Sequence, residues 1–162
     1  MGVSTRQRTS GGRQSLLRSL MHRPAMISSS GARITVTVLI LTGAAATVLS
    51  GLIHLKLWGG STGYHVIPTI GPLFLVQAIS GVAIGLATAV SRRLFFVLAS
   101  AGLLAGTALG LFITVEHGLF GFRENWGAPY ATSSLWEEII GAVILLAAAV
   151  PLAMAKGTKA AR

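Results

Sequence analysis

Six of the eight His and Glu side chains in this sequence are expected at one depth and have the chemistry to hold a metal or carry a proton: His54, His65, Glu116, His117, Glu137 and Glu138. Imidazole nitrogens with carboxylate oxygens suit zinc, copper, iron or manganese, and two imidazoles from different helices suit a haem iron. The same groups, with the Tyr64 phenol as a further donor, also suit a pocket that handles protons or receives a quinone headgroup. Spacing does not choose among these, because the chain has no HExxH and no Glu-x-x-His. The absence of cysteine excludes thiolate chemistry, disulfides, Cys-ligated zinc and iron–sulfur clusters. The cofactor is thus left open between metal, haem, quinone and none. A plainer account treats the six as interfacial groups that are solvated, or paired with one another and with Arg123. Charges at a membrane boundary cost far less than charges at its centre and need no function to explain them.

Topology is what would bring the six together. Of 162 residues, 52% are apolar and only 10% charged, where a soluble domain has about a quarter charged. Crossing the hydrocarbon takes about 20 apolar residues at about 1.5 Å each. Four runs meet that length, at about residues 34–57, 66–90, 94–115 and 135–155. The expected fold is all-α: an integral membrane four-helix bundle spanning 33–156, between a disordered basic tail at 1–32 and a short basic tail at 157–162.

In a soluble chain a net charge of +9 would point to nucleic acid. Here its distribution matters more. Eleven of the thirteen Lys and Arg lie between Arg6 and Arg33, at Arg92 and Arg93, or from Lys156 to Arg162. With four spans these places share one side, which the positive-inside rule makes the cytoplasm. Both termini are then cytoplasmic, in a multi-pass protein of the cytoplasmic membrane. The basic flanks face anionic headgroups, so the bilayer is the partner and nucleic acid is not. All four carboxylates fall on the outer side, and there is no Asp. The outer boundary is where the six candidate residues converge.

Helical spacing assigns faces. Gly43, Thr47, Ser50 and His54 share one face of the first span, which points His54 into the bundle. Gln77, Gly81, Gly85 and Ala89 share a face of the second, and an amide at the depth of Gln77 needs a partner that lipid cannot supply. Gly102, Gly106 and Gly110 give the third span a GxxxGxxxG row, which predicts the closest-packed helix of the bundle. Ser133 or Ser134 is the expected N-cap of the fourth, with Glu137 and Glu138 in its first turn.

The stretches IHLKLW, GY and IPTIGPLFLVQ, together with Gly118 to Phe122, Glu124, Pro129 and Tyr130, resemble a group of small four-span membrane proteins of actinobacteria. The resemblance covers about residues 50 to 140 and implies a cytoplasmic-membrane location without an activity. The four-span layout is also similar to the DoxX-like family, some of whose members are tied to thiol or quinone redox. That likeness is architectural and transfers no residue. Two functions follow. The leading one is a non-enzymatic accessory or structural subunit that packs with itself or with a larger membrane complex through the glycine row. The alternative is a redox, metal, haem or quinone-binding membrane component that uses the outer His/Glu cluster. Transport has less support, since Gln77 is the one strongly polar group in mid-membrane.

Overall fold

The computed structural model describes residues 16–61 and 63–155, and the remainder of both basic tails lies outside the described residues. Four helices make up the bundle: α1, Ser30–Gly59; α2, Ile70–Ser91; α3, Leu94–Glu116; and α4, Ala131–Met154. All four are long and apolar enough to cross a membrane. Large apolar side chains such as Leu52, Val76, Leu109 and Val143 point outward, a pattern compatible with helices surrounded by lipid. The start of α1 and the end of α4 lie at one end of the bundle, and the connections that follow α1 and α3 lie at the other.

Neighbouring helices follow chain order around the bundle, and α4 closes back on α1. The tightest pair is α1 with α2. A Cβ added at Gly81 would lie 2.8 Å from the Gly51 Cα and 3.0 Å from the Thr47 carbonyl, and one at Gly51 would lie 2.9 Å from the Ala78 carbonyl. Gly85 approaches Val48 and the Ala44 carbonyl in the same way. Without side chains between them the two backbones touch, which is how helices gain dispersion energy where lipid offers no hydrophobic drive. Gly43 similarly admits the Leu145 side chain of α4, and Gly141 admits Leu104 and Ala46. Around these contacts Ile40, Val97, Leu104, Leu145 and Leu152 form the main core, in the half of the bundle nearer the termini.

Of the four adjacent pairs, α2 and α3 pack least closely. Near their connecting turn the Thr88 hydroxyl lies 2.8 Å from that of Ser100 and 3.0 Å from the Phe96 carbonyl, which holds the two helices together at that end. Toward the loops they separate. The expectation that α3 is the closest-packed helix is overturned, because a Cβ at Gly102, Gly106 or Gly110 would meet nothing within 4 Å. A row of small residues permits contact without requiring it, and here α2 stays away.

Two further boundaries differ from expectation. The tail placed at 1–32 is ordered from residue 16: residues 16–20 are helical, Pro24–Met26 form a 3-10 turn and Pro24 is buried. His22 fixes this segment. Its Nδ1 donates to the Leu152 carbonyl at 2.9 Å, and its own carbonyl accepts from Leu94 N at 2.9 Å. It thereby partners the Leu94 amide at the start of α3, which helix geometry leaves free, and adds a second hydrogen bond to the Leu152 carbonyl near the end of α4, which also accepts from Ala155 N. The fourth helix begins at Ala131 rather than near Leu135, with Tyr130 in the left-handed region as its N-cap. Ser133 and Ser134 therefore lie inside the first turn. The Ser133 hydroxyl donates back to the Tyr130 carbonyl, and that of Ser134 is buried without a partner.

Candidate functional site

The earlier start of α4 decides where its glutamates lie. Glu138 is the eighth residue of the helix, about 10 Å along its axis at about 1.5 Å per residue, rather than at its mouth. There it is fully buried. The Ser50 hydroxyl of α1 donates to Glu138 Oε1 at 2.7 Å, and Gln77 Nε2 of α2 lies 3.4 Å from the same hydroxyl. Three helices thus meet in one polar node, made possible by the close approaches at Gly51, Gly81 and Gly141. Gln77 finds the interhelical partner its depth requires. One turn from Ser50, His54 Nδ1 lies 2.8 Å from the Ser50 carbonyl. A carbonyl only accepts, so this nitrogen carries the proton and, in the neutral ring, Nε2 is an acceptor. The other carboxylate oxygen of Glu138, Oε2, is buried and has no hydrogen-bond partner.

A cavity of about 370 Å³ adjoins this node, between α2 and α3. Gly102, Gly106 and Gly110 form its floor, and their missing side chains are the reason there is space. Its polar wall is His54, Gln77 and Glu138, while Leu73, Phe74, Leu103 and Leu111 make the rest mostly apolar. Small-molecule sites combine an apolar lining with a few placed polar groups in volumes of about 300–1,000 Å³. This cavity lies at the lower end of that range.

The loops close its far end. The Tyr64 hydroxyl donates to the Glu124 carboxylate, and its ring stacks on Phe74 at 4.8 Å between centroids, with Phe122 edge-on at 5.8 Å. Burial, reinforced by the Glu124 carboxylate, pushes the Tyr64 phenol above its ordinary range. Tyr130, at φ 65°, also lines the cavity. Lys56 Nζ donates to its hydroxyl at 2.5 Å and sits 5.0 Å from its ring centroid. A non-glycine residue in the left-handed region costs about 1–3 kcal/mol and persists where its surroundings over-determine it. Here the strained residue stands at the rim of the site.

Of the six candidate residues, the structure brings two to the cavity, His54 and Glu138. His65 is exposed beside the loop, with Nδ1 2.9 Å from the Trp58 carbonyl. Glu116, the last residue of α3, and His117, its C-cap, are exposed, and Glu116 Oε1 accepts from Trp126 Nε1 at 3.2 Å. Glu137 points about 100° away from its neighbour around the helix and is not in the cavity wall, although both its oxygens are buried without partners. Arg123 donates to the carbonyls of Val115 and Glu116. Among the described residues no three of His, Asp and Glu come together as a metal-binding group, so the six do not form the single outer cluster their topology suggested. Tyr64 and Gln77 do reach the site. Two participants lay outside the sequence-based set. Ser50 was legible only as a small residue one turn before His54, and Glu124 was the one carboxylate left out. No protein-family model, curated protein or solved structure matches this chain.

Proposed function

We propose that this chain is a small multi-pass protein of the cytoplasmic membrane, both termini cytoplasmic, that binds a small molecule in the cavity between α2 and α3. The molecule has an apolar body and one polar group. It enters from the bilayer, since the cavity lies between two helices with apolar outer faces. Glu138 carries this reading: a fully buried carboxyl with one unpartnered oxygen borders a largely apolar space. Buried polar groups without partners are rare enough to need an explanation, and a bound polar group supplies one. The positioned His54 Nε2 and the Gln77 amide offer further hydrogen bonds to the same group.

The test is to fill the cavity from its floor. Gly106→Leu places a side chain where nothing stands within 4 Å, so the fold accepts it and the cavity does not. Small molecules extracted from the purified protein and identified by mass spectrometry should include one that is absent from the Gly106→Leu preparation. Identical extracts would remove the reading.

A second reading keeps the chain as an accessory subunit, with a helix of a second copy or of a larger complex seated along Gly102, Gly106 and Gly110. The open space over that row favours it. It differs in outcome: Gly106→Leu would then lower the mass of the detergent-solubilised particle.

A further inference from the structure

The charges around the cavity narrow the class of ligand. Among the described residues neither Lys nor Arg lines it, while two carboxylates do, Glu138 in its wall and Glu124 at the loop end. Glu124 is engaged by the Tyr64 hydroxyl and by the amide of Asn125. Glu138 is engaged on one oxygen only. Lys56, the cation held near the rim, is occupied by Tyr130. A carboxyl removed from water keeps its negative charge only when paired and otherwise takes a proton, and the described residues around this cavity supply no pairing cation, so a bound cation is what would hold Glu138 in its charged form. Aromatic rings border the same space, namely Tyr64, Phe74, Phe122 and Tyr130. Ring faces attract organic cations, and aromatic walls beside a carboxylate are a recurring way of holding alkylated ammonium groups. An anionic headgroup would meet Glu138 and Glu124 with no compensating base.

We propose that the ligand is an organic cation, with an amine or quaternary ammonium group beside Glu138 and an apolar body along the floor at Gly102, Gly106 and Gly110. This rests on the reading of the cavity as a binding site, and adds its charge preference. Glu138 supplies the counter-charge and the rings toward the loop end contribute cation–π attraction. His54, its Nδ1 proton turned to the Ser50 carbonyl, presents an acceptor rather than a competing donor.

Three probes that share a phenylbutyl tail and differ only in the head decide the question: phenylbutyl-trimethylammonium, phenylbutyl sulfonate and phenylbutanol. Binding to the full-length chain in an uncharged detergent is measured by equilibrium dialysis against empty micelles. The ammonium compound should bind at least tenfold more tightly than the alcohol, and the sulfonate should not bind. Glu138→Gln, which keeps an acceptor for Ser50, should reduce the ammonium compound to the level of the alcohol. Equal binding of ammonium and alcohol, tighter binding of the sulfonate, or an unchanged preference in Glu138→Gln would each overturn the proposal. If Glu138→Gln does not fold, the ranking of the three probes on the unaltered chain still decides. Gly106→Leu separates the two levels of inference. Alcohol binding that this variant abolishes, without a preference for ammonium, leaves the cavity standing and sinks the cation. Binding of all three that is insensitive to Gly106→Leu, or no binding at all, sinks both.

Discussion

Adding one methyl group to two glycines with the same local sequence character should give opposite results. At Gly81 the new Cβ would lie 2.8 Å from the Gly51 Cα, 3.0 Å from Gly51 N and 3.0 Å from the Thr47 carbonyl. All three atoms are backbone, so no side chain can rotate away and α1 and α2 must separate. Overpacking of this kind costs about 1–3 kcal/mol, with the upper half expected for a backbone contact. Replacing glycine by alanine in a helix returns about 1 kcal/mol of backbone entropy. The net loss for Gly81→Ala is then about 1–2 kcal/mol. At Gly106 the same Cβ meets nothing within 4 Å, so the entropy gain stands alone and Gly106→Ala is stabilising by up to about 1 kcal/mol. For a chain of this length 1 kcal/mol corresponds to a Tm shift of about 2–4 °C. Thermal unfolding of both variants in the same detergent should therefore bracket the parent. If Gly106→Ala loses as much stability as Gly81→Ala, the third helix's glycine row is buried against protein and the cavity described here does not exist.

Other outcomes follow from particular contacts. Tyr64→Phe removes the donor to Glu124. Because the folded phenol is raised above its ordinary value of about 10, its contribution is fully present below that value and is lost as pH rises through the folded one. The Tm advantage of the parent over Tyr64→Phe should accordingly shrink above pH 10, and a constant difference would contradict the assignment. His22→Ala should lower stability by about 1 kcal/mol, the usual net value of a hydrogen bond, and should expose the segment 16–29 to protease; unchanged cleavage would show that His22 does not hold it. For orientation, a cysteine at Ser61 should react with a membrane-impermeant maleimide in intact cells, and one at the exposed Ser28 should react only after permeabilisation. The chain has no native thiol to obscure the signal, and the reverse pattern would invert the proposed topology.

The four helices were legible because continuous apolar length is a strong signal, and their ends moved by only a few residues. The face of α1 was legible too: the 3.6 period that aligns Gly43, Thr47, Ser50 and His54 does bury all four. The fate of the α3 row was not, since periodicity identifies a face that is small without saying what stands opposite it. The error at Glu138 was one of register. Taking a serine as the N-cap placed α4 one turn late, and the glutamate consequently appeared at the boundary rather than beside Ser50. Adjacent glutamates also looked equivalent in sequence, although consecutive helical positions cannot face the same neighbour. His65 was grouped with His54 by depth alone, and depth carries no information about direction around the bundle.

The His22 clip also has a temporal meaning. Its two bonds reach Leu94 and Leu152, and the second joins residues 130 positions apart. The segment ahead of α1 is synthesised before all four helices, yet it can make both bonds only after α4 has been synthesised and has taken its place beside α1 and α3. Until then the carbonyl end of α4 does not exist for it to engage. A chain stopped after α3 would retain the Leu94 contact alone, so the doubly bonded segment reports that the fourth helix is in place.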